Sequence, residues 1–204
     1  MPVNALEEFK EFLKLIAPML KVYGYSRRGQ NFYTRRDGNW GVINFQKSQS
    51  STRENVKFYV NLGIYSQVLA KFFSKWKEGS APTESACHWR KRVEPGNRMH
   101  WWVIDERTLL PSRVKEFGEI LPLAVSRIEN YITDEALRDL LLSGDNAGFT
   151  NHVRLENLSV LVNRYGPFDI LDFVLMELRN SGVDRVVEGQ IKRLKEDESK
   201  RVIQ

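Results

Sequence analysis

A strictly alternating segment in the first third of the chain constrains the fold more than any other feature. Every second residue is apolar from Val56 to Ile64. Successive side chains of a β-strand point to opposite faces, so this period of two predicts a strand with one face in a core. The predicted core residues are Val56, Phe58, Val60, Leu62 and Ile64. Together with residues 40–48, which precede a polar loop, this strand is expected to form a hairpin.

The opposite face of the hairpin carries rings and amides in place of the usual charges. We call it the second face. It is predicted to hold Trp40, Asn44, Gln46, Tyr59 and Asn61, with Trp102 and His100 added if a fourth strand joins in suitable register. Rings supply contact area and amides supply orientation, so an open second face is expected to bind a partner. C-terminal helices lying over it would instead bury these groups, and a one-residue slip would exchange the faces.

The rest of the chain divides into a strand-rich first part and a helical second part. Apolar spacings of three and four predict a helix over residues 4–20. Strands are predicted at 30–36, 40–47, 56–64 and 99–104, a long irregular excursion at 78–97, and helices from Ser112 onward. The predicted fold class is α+β: an N-terminal helix, an antiparallel sheet of about four strands and an all-helical C-terminal portion. We divide it into an α+β domain, 1–130, and a helical extension, 131–204, packed on or beside that domain.

Charge is distributed unevenly between the two parts. Residues 1–104 carry 17 Lys and Arg against 8 Asp and Glu, whereas residues 105–204 carry 14 against 18. Opposite charge densities favour contact between the two parts. No apolar run is long enough to span a membrane, and the single cysteine fits a reducing compartment. We therefore expect a cytoplasmic protein with no membrane partner.

Several short motifs resemble a known family. They are Gly24-Tyr25, Arg27-Arg28-Gly29, Phe32-Tyr33, Trp40 to Ser48, Asn61 to Ile64, His88 to Arg92 and Trp101-Trp102. Together they resemble an uncharacterised bacterial family known only as a domain of unknown function, over roughly the first two thirds of the chain. The resemblance implies an α+β domain of bacterial type and carries over no catalytic residue.

A basic cluster suggests an alternative partner. It comprises Arg27, Arg28, Arg35, Arg36, Lys47, Arg53, Lys57, Arg90, Lys91, Arg92 and Arg98. Arginines beside exposed rings can bind single-stranded nucleic acid through phosphates and stacked bases. A solvated face that pairs partly with the acidic C-terminal region is the simpler interpretation of a net charge of +5.

Catalytic signals are weak. Cys87 and His88 are adjacent, but neighbouring side chains of an extended segment point apart, and no nucleophile motif surrounds them. Three scattered histidines do not form a metal site, so no metal, no cofactor and no catalytic residue is predicted. An enzyme with an unrecognised site stays a third hypothesis.

The sequence thus favours a non-enzymatic binding module, most readily for another protein, with nucleic acid as the alternative ligand. By analogy alone, small immunity or accessory proteins of bacterial competition have this character. The predicted binding residues are Trp40, Asn44, Gln46, Tyr59, Asn61, Arg90, Arg92 and Trp102.

Overall fold

A computed structural model describes residues 4–77, 79–95, 101–181 and 184–202 of the chain. The strands are β1 (Ser26–Arg28), β2 (Asn31–Arg36), β3 (Asn39–Lys47), β4 (Asn55–Tyr65), β5 (Trp89–Val93) and β6 (Trp102–Asp105). The helices are α1 (Ala5–Val22), α2 (Gln67–Phe72), α3 (Leu110–Tyr131), α4 (Asp134–Leu142), α5 (Asn151–Tyr165), α6 (Leu171–Ser181) and α7 (Asp184–Val202). Short 3-10 turns lie at Glu84–Ala86 and Phe168–Ile170.

The strands form one antiparallel sheet in the order β1-β2-β3-β4-β5, and β6 pairs with the first half of β4. The α+β class is therefore confirmed. The predicted number of strands is too small, because β1 and β5 were not foreseen and the described sheet has six. β1 reads Ser-Arg-Arg and is exposed throughout, while β5 has three charged residues at its centre. Edge strands with so little apolar surface give no alternating signal.

Helices α1 and α3 pack on the apolar face of the sheet. The ring of Phe12 from α1 meets Phe45 and Phe58 of the sheet and Phe117 of α3 at centroid distances of 5.9, 5.6 and 6.0 Å. The predicted alternation in β4 is confirmed, because Phe58, Val60, Leu62 and Ile64 are fully buried there. This aromatic layer leaves the second face pointing away from both helices.

The remaining helices join the same core beside the sheet. Helix α5 is buried on most of its surface, since Leu155 and the whole run 157–163 are inaccessible. It packs against α2, α4, α6 and α7. No helix among the described residues combines the length and apolar character needed to cross a bilayer.

A buried carboxylate connects α4 to the sheet. Asp134 accepts hydrogen bonds from Ser66 Oγ at 2.6 Å, Asn39 Nδ2 at 3.1 Å and Tyr165 Oη at 3.0 Å. Asn39 Nδ2 also donates to the main-chain oxygen of Ile132 at 2.8 Å. We call this group the Asp134 network. It ties residues at the ends of β3 and β4 to two C-terminal helices.

Candidate functional site

The strand register places five of the predicted residues on the second face. Asn44 lies opposite Asn61, Gln46 opposite Tyr59, and Trp40 opposite Tyr65. Residues directly opposite in an antiparallel pair project to the same side of the sheet. The second face predicted from the alternation of β4 therefore exists, and its two halves have different surroundings.

Trp102 does not belong to the second face, and its prediction as a binding residue is wrong. It pairs with Phe58 in the register of β6 and β4, is 0% exposed, and stacks on the Phe58 ring at 6.1 Å. Its Nε1 donates to the main-chain oxygen of Val93 at 3.2 Å. The preceding residue, Trp101, instead lies 5.5 Å from the Tyr59 ring. The prediction failed by one residue of register, which is enough to reverse a side chain.

The half of the second face around Trp40 is covered, so Trp40 does not serve as a surface contact as predicted. Trp40 is only 8% exposed and lies in a small cluster with Tyr33, Val42, Tyr65, Ala70 and Cys87. This half is covered by the connection that follows β4, and not by the C-terminal helices. Trp76 and Ala81 of that connection also pack on the cluster. Gly63 allows this approach, because a Cβ there would lie 2.5 Å from Cys87 Sγ.

The other half of the second face, which we call the open half, carries four amide side chains: Asn31, Asn44, Asn61 and Gln46. We call these four residues the amide row. Asn44 Nδ2 donates to Asn31 Oδ1 at 2.6 Å. Asn61 Nδ2 donates both to Asn44 Oδ1 at 3.2 Å and to Gln46 Oε1 at 2.9 Å. This amide row crosses three strands, and mutual hydrogen bonds fix the orientation of each carboxamide. Its outer members keep amide hydrogens that bond to no other described residue.

An aromatic–arginine cluster, made of Tyr59, Arg92, Trp101 and Lys57, lies beside the amide row. The Arg92 guanidinium is 3.6 Å from the centre of the Tyr59 ring, and its Nε donates to Asn61 Oδ1 at 3.4 Å. Lys57 Nζ is 5.7 Å from the centre of the Trp101 ring. Trp101 is 38% exposed, so part of its ring remains accessible beside Tyr59 and Arg92.

Two arginines predicted to act together have different environments. Arg92 is exposed on the open half, whereas Arg90 is half-buried with its guanidinium 4.4 Å from the Phe149 ring centre. The Arg90 main-chain N–H donates to the carbonyl of Ala147 at 2.9 Å. Arg90 therefore contacts the loop between α4 and α5 rather than the open surface. Glu84 lies near both, and burial raises its pKa while the two arginines oppose that shift.

The wider basic cluster is divided between the two faces. Arg28, opposite Asn31, shares the side of the amide row, whereas Arg27 pairs with Phe32 on the apolar side. Arg35 stacks over the buried Trp40 at 4.6 Å. Among the described residues, the cations on the open half are Arg28, Lys57 and Arg92. Arg98, a predicted member of the basic cluster, and His100, a conditional member of the second face, lie outside the described residues.

Cys87 and His88 are buried and point to different partners. Cys87 Sγ lies 3.6 Å from the carbonyl oxygen of Thr83, and burial raises the pKa of its thiol. His88 Nδ1 accepts from the Ser66 N–H at 3.0 Å. Burial, together with the charge of Lys75, lowers the His88 pKa to about 3. A neutral thiol and a neutral imidazole in these positions do not make an activated nucleophile.

Sequence reasoning missed Asn31, Arg28 and Trp101 as members of the open half. Asn31 stands in a predicted strand, and counting its alternation across the Asp37-Gly38 turn assigns it to the second face. Trp101 was detectable only as one of two adjacent tryptophans, either of which fits a β-strand pattern. The described residues contain no group of three or more His, Cys, Asp and Glu arranged to hold a metal ion.

Residues 16–120 match a family described as a domain of unknown function, DUF4304. The match covers just over half of the chain. This chain belongs to the DUF4304 family. The resemblance predicted from the motifs is thereby confirmed, and the DUF4304 region runs from within α1 to within α3, so it contains the amide row and the aromatic–arginine cluster. No curated protein and no solved structure matches the chain.

Proposed function

We propose that this protein is a binding module that docks another protein on the open half of the second face. The observation that carries the proposal is the exposed Trp101, set beside Tyr59 and Arg92. Tryptophan, tyrosine and arginine are the residues that most often dominate the energy of protein interfaces. The adjoining amide row supplies oriented polar groups for the rim of such an interface.

The arrangement of rings favours a protein over a single-stranded nucleic acid. Stacking a base requires the free face of an aromatic ring. The Tyr59 ring is covered by the Arg92 guanidinium at 3.6 Å and flanked by Trp101 at 5.5 Å. Among the described residues, Trp101 is the one aromatic residue on the open half that is exposed, so this surface offers one free stacking position there, whereas the successive bases of a strand need several.

The charges on this surface define the chemistry of the partner. Arg28, Lys57 and Arg92 contribute three positive charges around the amide row. Like charges across an interface are unfavourable, so the partner surface is expected to be acidic. These rim charges speed association more than they add affinity.

A site-specific photocrosslink tests the proposal. A photoreactive residue at Gln46, which is exposed at the end of the amide row, should form a discrete protein adduct in cells. The same residue at Glu119, exposed on α3, is the matched control and should not. Trp101→Ala should weaken binding of the purified crosslinked partner by about thirtyfold, as expected for an interface hot spot.

Salt dependence separates the two kinds of ligand. Binding to an acidic protein anchored by Trp101 should weaken only modestly between low and physiological ionic strength, because salt screens the rim charges and leaves the contacts of the buried ring intact. Binding to single-stranded oligonucleotides with affinity that falls steeply with salt would instead support the nucleic-acid alternative. Absence of a discrete adduct at Gln46 would disprove the proposal, as would partner binding that Trp101→Ala leaves unchanged.

We further propose that the protein acts in the bacterial cytoplasm. Its one cysteine, Cys87, is buried and unpaired, as is common for thiols in reducing compartments. Expression as a fluorescent fusion in a bacterial host, followed by fractionation, tests this placement. Recovery of the fusion in the membrane or extracellular fraction would contradict it.

A further inference from the structure

A second surface feature lies on the other side of the sheet from the proposed docking site. A groove of about 610 Å³ runs between α1 and the corner formed by β1 and β2. A smaller hollow of about 210 Å³ continues it along α1, and the side chain of Arg27 borders both. The larger volume is within the range of small-molecule sites.

The floor of the groove is apolar. It is formed by Ala17 and Pro18 of α1, Phe32 of β2 and Tyr25, which precedes β1. Tyr25 is 4% exposed, and its hydroxyl has no hydrogen-bond partner among the described residues. An unpartnered buried hydroxyl is uncommon, because its desolvation is uncompensated. The groove therefore offers an apolar surface on which the apolar part of a ligand can lie.

The charged groups around this floor are all hydrogen-bond donors. Lys14, Lys21 and Arg27 line the groove. Lys14 is paired with Glu11 at 2.8 Å, but no ion pair within the described ranges involves Lys21 or Arg27. Arg27 Nε donates to the carbonyl of Gly29, which leaves its terminal nitrogens available. Donors without acceptors select a ligand whose polar end is an anion.

One acidic residue lies close enough to matter. Burial, together with the charge of Glu129, raises the pKa of Tyr25, so the hydroxyl stays protonated. Glu129 is not part of the groove lining, which keeps the lining itself cationic.

We propose that this groove binds an amphipathic carboxylate, that is, a single apolar chain that ends in a carboxylate group. The chain lies on Ala17, Pro18 and Phe32 and extends past Arg27 into the smaller hollow. The carboxylate accepts hydrogen bonds from Lys21 and Arg27.

Dansyl-labelled undecanoic acid is the probe for this site. Its fluorescence should rise on mixing with the full-length protein, because the dansyl group enters an apolar environment. Laurate should displace it, whereas dodecyltrimethylammonium, with the same chain and the opposite charge, should not. Equal displacement by both detergents would reveal nonspecific adsorption and overturn the proposal, as would no change in fluorescence.

Charge-neutral variants locate the carboxylate. Lys21→Gln and Arg27→Gln should each weaken binding by about fivefold, the scale of one partly exposed charge contact. Lys115→Gln removes an exposed charge on α3 and should leave binding unchanged. Thermal unfolding of each variant checks the fold. Probe binding that is equal in all three variants, or displacement by an acidic peptide but not by laurate, would contradict the assignment.

Discussion

The side chain of Phe58 makes a sharp test of which face of β4 is inside. Its ring is fully buried and meets those of Phe9 at 5.0 Å, Phe12 at 5.6 Å and Trp102 at 6.1 Å. Phe58→Ala removes these contacts and leaves a cavity, so the free energy of unfolding should fall by about 3–5 kcal/mol. Urea denaturation measures the change.

The next residue in β4 provides the matched control. Tyr59 points to the open half and is only partly buried. Tyr59→Ala should therefore reduce the free energy of unfolding by about 1 kcal/mol or less. Equal losses for the two substitutions would mean that the faces are assigned incorrectly.

His88 should make folding sensitive to mild acid. Burial lowers its pKa from about 6.5 to about 3. Between these pH values the unfolded chain binds a proton at His88 and the folded chain does not. The contribution to stability is present above about pH 6.5 and is lost as pH falls toward 3. The loss from this group is about 1.4 kcal/mol per pH unit.

A neutral replacement isolates this effect from the titration of carboxylates. His88→Asn keeps an acceptor for the Ser66 N–H but has no titrating group. Urea denaturation of both proteins across mildly acidic pH should show that the free energy of unfolding depends less steeply on pH in the variant. The difference in slope should correspond to about one bound proton. Parallel curves would mean that His88 titrates normally in the folded chain.

Helix α4 should depend on the Asp134 network for its position against the sheet. Asp134→Ala leaves Ser66, Asn39 and Tyr165 without their shared acceptor in a buried site. Buried donors without an acceptor destabilise the folded state, and we expect the free energy of unfolding to fall by about 3 kcal/mol. Hydrogen exchange of the α4 amides should accelerate as well.

Glu135 gives the corresponding control on the same helix. It is exposed and also lies in the first turn of α4, so Glu135→Ala changes the charge near the helix terminus without touching the network. We expect an effect below about 1 kcal/mol. Similar exchange rates in the two variants would show that the network does not hold α4.

The strand-rich and helical parts are expected to fold as one unit. Ile132, Leu137 and Leu141 belong to the same buried cluster as the sheet residues, and Arg90 bonds to Ala147 across the boundary. None of the ion pairs among the described residues joins residues 1–104 to residues 105–204. Apolar packing and buried hydrogen bonds therefore provide the connection there.

Truncation tests this unity. A chain that ends at residue 130 exposes apolar surface that α4 and α5 cover, so it should aggregate or elute as larger species in size-exclusion chromatography. A chain that ends at residue 196, which shortens only the C-terminal end of α7, should remain monomeric and unfold at nearly the same temperature as the full chain. A shorter chain that is equally stable and monomeric would establish two independent domains.

Much of this fold could be predicted from the sequence because the apolar residues of its main elements recur at regular intervals. The alternation in β4 and the stripe of α1 assigned their buried faces correctly. Register between distant segments has no such local signal, which is why Trp102, and not Trp101, was predicted to lie on the second face. The cover over Trp40 comes from an irregular connection after β4, and its packing depends on the close approach of Cys87 to Gly63.

The lengths of the strands have a consequence for behaviour in concentrated solution. Long strands β2, β3 and β4, of 6, 9 and 11 residues, have neighbours on both sides, whereas β1, β5 and β6 have only 3, 5 and 4 residues. Two adjacent arginines occupy β1, and the loop at Ala147 bonds to β5. Edge strands that are short, charged or covered are poor templates for pairing with strands of another molecule. The native protein should therefore resist fibril formation and stay dispersed when it is crowded.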